Sequence, residues 1–356
     1  MGKIENKGRI KVFLKDKNKK NLFKIAKELW LLKKAKNERP YYYFKYLYRK
    51  DVTNILDYLG AKEMNLIRKS KRLHNPELYP IFNNKLLFCQ LFDGTAIRTP
   101  KLLSHNYNNT FSFGNTTTDI RTLYDCLNFF TQRFNEENIE SIFFRPHSDY
   151  GGHGCFMLTK KDLKTELPVV LDHLLNGDFV HTAGIDQHPE INKIHAASVN
   201  TIRLITLVTS SNSVEVVYAG MRFGVGNSVV DNASSGGFFT GIDITKGTLN
   251  DTGHYLIEYG GKNVYRHPDN GYDFRGFKVP YFNEACDLVI KAVGVLPDGL
   301  IGWDIAITAN GPTIVEANDM PHLHSSDVAC GGLLKNTHMK QLIAELKHDK
   351  EQHLVS

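Results

Sequence analysis

The stretch that most constrains this chain is Gly302-Trp303-Asp304-Ile305-Ala306-Ile307-Thr308, followed after a short turn by Pro312-Thr313-Ile314-Val315-Glu316-Ala317-Asn318-Asp319. Both halves run apolar in strand fashion, and Asn310-Gly311 between them is a hairpin signal. Asp304 stands near the start of the first strand and Glu316 near the end of the second, so a tight hairpin folds the two carboxylates back beside each other. Asn318, two residues beyond Glu316, shares its face by the strand period of two. An oxygen-only trio of Asp, Glu and Asn suits Mg²⁺, and two acids this close repel unless a cation lies between them. The alternative is a surface hairpin whose acids face solvent. Ile305, Ile307, Ile314 and Val315 speak for burial, and buried carboxylates need partners.

The same demand for a counter-charge recurs upstream. Ser198 to Thr206 and Val216 to Gly224 read as strands that carry Arg203 and Arg222 among apolar neighbours, an unfavourable placement unless anions meet them. A ligand phosphate and ion pairs to Asp304 or Glu316 are the two ways to meet it. Ile142-Phe143-Phe144-Arg145-Pro146 is a further strand that runs into a loop with glycines at Gly151, Gly152 and Gly154. Those glycines let successive N–H groups approach phosphate oxygens, and Ser148 adds a hydroxyl; a plain turn is the alternative. Neither the Walker A pattern nor the G-x-G-x-x-G dinucleotide spacing is present in this loop. No Ser/His/Asp or Cys/His constellation stands out, so no covalent enzyme nucleophile is expected.

A chain of 356 residues with 42% hydrophobic content has room for two or three lobes. Its apolar runs are shorter than a bilayer, and Met1 to Lys7 lacks a signal-peptide core, so a cytoplasmic location is expected. The five cysteines are scattered without a CxxC pair, which favours reduced thiols over disulfides or zinc. The net charge of +6 is concentrated in the first 50 residues. Leu22, Ile25, Ala26, Leu29 and Leu32 recur there at helical spacing with lysines between them, the pattern of solvated helix faces. The same basic segment could make peripheral contact with the inner face of a membrane or with an acidic glycan; no specific nucleic-acid partner is expected. The cluster Tyr41 to Tyr48 either packs on the body or touches sugars or lipid headgroups. Further helices are expected at Asp51–Gly60, ended by Gly60; at Asp119–Glu137, capped by Asp119; at Leu163–Leu175, interrupted by Pro168; and at Glu284–Val295, capped by Asn283.

With these residues in order, Gly302 to Asn318 resembles the metal-binding end of the ATP-grasp superfamily. The chain over roughly residues 80 to 340 is most similar to its sugar-transfer-associated branch, related to alpha-L-glutamate ligases. The resemblance implies an α+β class and an ATP-grasp fold, two α+β lobes gripping ATP, after a divergent basic helical N-terminal segment. The expected divisions are a helical segment at 1–75, a lead-in helix and linker at 76–140, a nucleotide-binding lobe at 141–195, a catalytic lobe at 196–345 and a tail at 346–356.

The resemblance also implies roles. Lys85, at the start of a short helix, would reach the nucleotide, and Arg145 stands where a lysine is usual and keeps its charge. The strand Asp178 to Ile185 would be the adenine hinge, with His181 and Ile185, and Asp186, Gln187 or His188 would meet the ribose. Arg203 would stabilise the transferring γ-phosphate, with Arg222 beside it and Asn232 in a Gly-rich loop over the reacting groups. Asp304, Glu316 and Asn318 would hold Mg²⁺, with two ions compatible, and His322 and His324 fall near the acceptor. The activity implied is an ATP-dependent carboxylate–amine ligase working through an acyl phosphate. It would join an amino acid or other amine to a small-molecule or glycan carboxylate of uronic-acid type in surface polysaccharide biosynthesis. A kinase that phosphorylates a hydroxyl and a non-catalytic nucleotide-binding module are the alternatives.

Overall fold

The apolar runs of the sequence pair into two antiparallel sheets. The structure, a computed structural model, describes residues 8–148, 152–228 and 230–355. In the first sheet, β1 (Leu102–Tyr107), β2 (Thr110–Phe113), β3 (Thr116–Asp119), β4 (Ser141–Pro146), β5 (Phe156–Thr159) and β6 (Asp178–Ala183) lie in the order β3-β2-β1-β6-β4-β5. Helices Leu123–Glu137 and Leu163–Leu175 cover it, and Phe130, Phe134, Leu167 and Leu174 bury against Phe111, Ile142, Phe144 and Phe179. Each such side chain contributes about 1.5–3 kcal/mol by leaving water.

The second sheet holds β7 (Ile202–Val208), β8 (Val214–Phe223), β9 (Phe238–Asp243), β10 (Thr248–His254), β11 (Asn263–Val264), β12 (Leu300–Thr308) and β13 (Gly311–Asn318), in the order β11-β10-β9-β8-β7-β12-β13. Both of its faces are covered. On β7, Leu204 joins a core built with helix Phe282–Val293, and the next residue, Ile205, joins an opposite core with helices Ala61–Lys69 and Thr337–Val355. Two-sided burial explains why β12 is an almost unbroken apolar run rather than an alternating one.

The N-terminal segment packs through its aromatics. Tyr43 and Tyr48 are fully buried with Leu32, Leu47 and Ile55, so the tyrosine cluster belongs to a core. A buried Lys20–Glu28 ion pair at 2.7 Å, shared with the Tyr43 hydroxyl, lies beside it. The segment is tied to the second lobe by Leu59 N donating to Asp327 Oδ2 at 3.0 Å and by the Tyr46 hydroxyl donating to the Tyr255 carbonyl. Among the described residues no helix is long and apolar enough to cross a membrane.

Several local expectations are corrected. Gly60 does not end a helix but precedes one, since the Glu38 carboxylate reaches across to accept from Ala61 N at 2.8 Å and Lys62 N at 2.7 Å, capping Ala61–Lys69 from outside. Residues 51–60 hold only a single 3₁₀ turn, Ile55–Asp57. Asp119 ends β3, and the true cap of the next helix is Thr122, in a reciprocal capping box with Asp125. Pro168 sits inside a continuous helix, and Tyr281, with φ 53°, precedes helix Phe282–Val293 in place of Asn283. Beyond these corrections, β1 and β4 both pair with β6, so one sheet of the first lobe spans residue 140.

A candidate nucleotide site between the two sheets

The hairpin turns one residue earlier than its signal suggests. Thr308 pairs with Gly311, leaving Ala309-Asn310 as a two-residue loop, and Gly311 takes the positive φ of 112° that a side chain would resist. In this register Asp304 lies directly opposite Glu316, and Gly302 lies opposite Asn318. Strand β7 flanks the hairpin with Arg203 opposite Asp304. Three positions far apart in sequence thus become neighbours across adjoining strands.

A cavity of about 470 Å³ opens between the sheets at this point. Of the residues singled out from the sequence, Lys85, Arg145, Gly152, Ile185, Arg203, Arg222, Asn232, Asp304, Glu316 and Asn318 line it. Lys85 is the first residue of helix Lys85–Phe92, whose N-cap Asn84 accepts from Leu86 N and Leu87 N. Arg145 is 4% exposed; its Nη1 donates to the Val315 carbonyl at 3.0 Å, and its Nε is buried without a partner.

Asp304 is the electrostatic hub. Arg203 forks onto it, Nε to Oδ1 at 2.5 Å and Nη2 to Oδ2 at 3.1 Å, and Arg222 Nη2 stands 2.9 Å from Oδ2. Burial pushes the Asp304 carboxyl up, but the two guanidiniums outweigh it and hold the group below the usual carboxylate range. Of the two answers to the buried arginines, ion pairing to Asp304 is therefore realised. Arg222 also donates to Thr201 Oγ1 at 2.6 Å, and Thr201 donates to Asp231 Oδ2 at 2.6 Å. Asp231, buried and 3.6 Å from Arg222 Nε, is raised by burial despite that charge.

Glu316 differs from Asp304. It is half-buried and makes no hydrogen bond or ion pair with the described residues. Asn318 donates through Nδ2 to the Gly302 carbonyl at 3.4 Å, which leaves its side-chain oxygen as an acceptor. A carboxylate without a partner, an amide oxygen and a shared carboxylate on one face are a donor set that fits a hard divalent cation.

Other expected residues lie elsewhere. His181 is 0% exposed and points into the first-lobe core, bonded to Ser104 Oγ at 2.8 Å and Asn106 Oδ1 at 2.9 Å and packed on Phe144. Burial drives its pKa well below the ordinary value, so it is a neutral core histidine rather than a nucleotide contact. His188 lies outside the cavity, with its Nδ1 accepting from Glu190 N at 3.2 Å. Gln187 lines the cavity, but its amide is engaged by Asn192, His195 and Asn200, which leaves Asp186 as the better-placed ribose candidate. Ser148 and Gly154 do not line the cavity, and a Cβ on Gly154 would meet Pro146. Gly151 lies outside the described residues. Thr201 and Asp231 were not singled out; the signal was Arg222 itself, a strand cation in need of an acid, with Asp231 nearby in sequence.

Two antiparallel sheets that enclose a cleft, with a carboxylate hairpin on one wall, define the ATP-grasp class of α+β folds. The profile of the sugar-transfer-associated ATP-grasp family matches residues 65–341, and the chain belongs to that family. No curated protein matches it. Solved structures similar to it include D-alanyl-alanine synthetase A from Vibrio cholerae, at 10% identity and TM-score 0.44 over 78% of this chain and 67% of that one. The ATP-grasp ligase PsnB complexed with minimal precursor, Mg and ADP is similar at 12% identity and TM-score 0.42 over 77% of this chain and 62% of that one. N5-carboxyaminoimidazole ribonucleotide synthetase from Thermotoga maritima follows at 9% and 0.38, over 69% of this chain and 44% of that one. The chain thus spans less than two thirds of the length of the PsnB structure.

Proposed function

We propose that the protein is an ATP-dependent carboxylate–amine ligase, with ATP held between the sheets and Mg²⁺ held by Asp304, Glu316 and Asn318. The observation that carries this reading is the register of the hairpin: three oxygen donors share one face beside Arg203 and Arg222, in the cavity that Lys85 and Arg145 also line. Four cationic side chains there, Lys85, Arg145, Arg203 and Arg222, face four carboxylates, Asp186, Asp231, Asp304 and Glu316. That set balances without a ligand, and a tetra-anionic nucleotide with two divalent cations adds no net charge to it. Mg²⁺, when bound, would offset phosphate charge and orient the γ-phosphate.

The residues then divide the work. Lys85 and Arg145 position the phosphates, and Arg203 and Arg222, pinned by Asp304, offer preorganised charge where negative charge builds during transfer. A carboxylate oxygen of the acceptor attacks the γ-phosphorus, the bond to the bridging oxygen breaks, and ADP leaves. The amine of the second substrate then attacks the acyl carbon, phosphate departs with the former carboxylate oxygen, and the amine loses a proton. No enzyme nucleophile is required. The family's association with sugar transfer favours a uronic-acid-type acceptor in polysaccharide assembly. A coupled ADP-release screen over uronic acids and amino acids tests the reading. Turnover that needs both a carboxylate and an amine is expected, whereas a stable phosphorylated alcohol as sole product would assign a kinase instead.

A further inference from the structure

A second cavity, of about 390 Å³, lies beside the first and is built on the loops that leave it. Ser234 belongs to the same loop as Asn232, and His322 and His324 follow the hairpin strand that ends at Asn318. Its remaining wall comes from elsewhere: Lys45 and Tyr46 are supplied by the N-terminal segment, outside the residues that the family profile matches. The Tyr46 ring stands 6.2 Å from that of His324, which in turn stands 6.2 Å from that of His322.

Two polar groups on this wall lack hydrogen-bond partners, whereas His322 bonds Ser325 and the hydroxyls of Tyr46 and Tyr259 bond backbone carbonyls. Lys45 is half-buried, yet its ammonium makes no hydrogen bond or ion pair among the described residues. His324 Nε2 is buried without a partner. A buried polar atom left unsatisfied is unfavourable, and a bound water or ligand that bonds it relieves that cost. The one acid on the wall is the exposed Glu258, which attracts Lys45 from beyond ion-pair distance. An unpaired cation, neutral imidazoles and the aromatic face of Tyr46 together suit a small hydroxylated molecule that carries a carboxylate.

We propose that this cavity is the acceptor pocket, in which Lys45 is the counter-charge for a uronate-type carboxylate, so that the N-terminal segment selects what the ligase acts on. The proposal rests on the ligase reading for its chemistry but makes its own claim about where and by what the acceptor is held. Burial, with Lys45 nearby, pushes the His324 pKa down to about 3, which keeps that ring neutral and free to exchange hydrogen bonds with ligand hydroxyls.

The test uses the full chain with ¹³C-labelled histidine, saturated with Mg²⁺ and a non-hydrolysable ATP analogue, and titrated at constant ionic strength with glucuronate or galacturonate. His322→Gln and His324→Gln assign the ring signals. Both signals are expected to shift saturably with the uronates and not with glucose, and Lys45→Gln should weaken the uronate dissociation constant at least tenfold while the melting temperature holds. No shift with either uronate, or an equal response in the Lys45→Gln protein, overturns the proposal. Calorimetry of the nucleotide on the same samples separates the two readings. Tight Mg²⁺-dependent nucleotide binding without a uronate response sinks only the acceptor pocket, whereas failure of the nucleotide to bind sinks the ligase reading beneath it.

Discussion

Asp304 and Glu316 face each other across one hairpin but stand in different situations, and two substitutions expose the difference. Asp304 is 5% exposed and receives three contacts of 2.5–3.1 Å from two guanidiniums. Asp304→Asn leaves both arginines facing a neutral amide, and breaking a buried ion pair from one side costs about 3–5 kcal/mol. Arg222 keeps Thr201 and has Asp231 at 3.6 Å, so the lower end, about 3 kcal/mol, is expected. At roughly 2–4 °C per kcal/mol, the melting temperature should fall by about 6–12 °C. Glu316 makes no such contacts, so Glu316→Gln forfeits only attraction at a distance to Arg222, within about 1 kcal/mol, and should move the melting temperature by at most about 4 °C. Its effect appears with ligand: losing one anionic donor should weaken Mg²⁺-dependent binding of an ATP analogue at least tenfold, or about 1.4 kcal/mol. Thermal melts in EDTA and calorimetry with and without Mg²⁺ measure both. Equal destabilisation by the two variants, or unchanged Mg²⁺ dependence in Glu316→Gln, refutes the reading in which Asp304 serves both the fold and the metal while Glu316 serves the metal alone.

Three further outcomes are expected. Gly302→Ala would place a Cβ 2.7 Å from Pro321 Cβ and 3.2 Å from Arg203 Nη1, so it should destabilise by about 1–3 kcal/mol and lower turnover at least tenfold, checked by melts and ADP release. Arg145→Lys keeps the charge but gives up the bond to the Val315 carbonyl; a three- to tenfold loss of nucleotide affinity is expected by calorimetry, and an unchanged affinity would remove Arg145 from the site. Stability should fall as pH drops below about 6.5. Burial lowers His254 to about 4 and His324 to about 3 and holds His181 well below its ordinary value, so unfolding takes up protons on these rings, each adding up to about 1.4 kcal/mol per pH unit. Asp327, raised by burial to about 7, opposes them between pH 4 and 7 because there the folded state holds the extra proton; Asp327→Asn should therefore steepen the acid loss, read as melting temperature against pH.

The parts of the site that were legible in the sequence are those fixed by strand period and short loops. Asp304, Glu316 and Asn318 share a face because a hairpin leaves few registers, and buried strand arginines announce the acids they meet. His181 shows where this fails. The strand around it was readable, but a strand has two faces, and only the neighbouring strands decide which one meets the cleft: Thr182 lines it and His181 points into the core. Strand β3, Thr116-Thr117-Thr118-Asp119, was invisible because all four residues are exposed at a sheet edge, with no apolar alternation to reveal it. Gly60 was misplaced because much of its helix's N-terminal cap comes from Glu38, brought in by the tertiary fold, beside the local Glu63, which accepts from Gly60 N. Lys45 was unreadable for the same reason: its neighbours, His322 and His324, lie at the other end of the chain.

The hairpin that carries the carboxylates is also where the first lobe is fastened to the second. His188 N donates to the Ile307 carbonyl at 2.8 Å, Gln187 bridges Thr308, and Arg145 reaches from β4 to the Val315 carbonyl on β13. At another point on the cavity wall, the lobes meet at Gly152, where a Cβ would lie 2.7 Å from Val230 Cγ1. Backbone and guanidinium hydrogen bonds hold the first junction, whereas at the second the Gly152 backbone lies against the Val230 side chain. Gly152→Ala, which adds a Cβ against Val230 on a backbone of positive φ, should raise the nucleotide dissociation rate, read by stopped flow, while leaving the ion pairs of Asp304, and hence the stability they confer, unchanged.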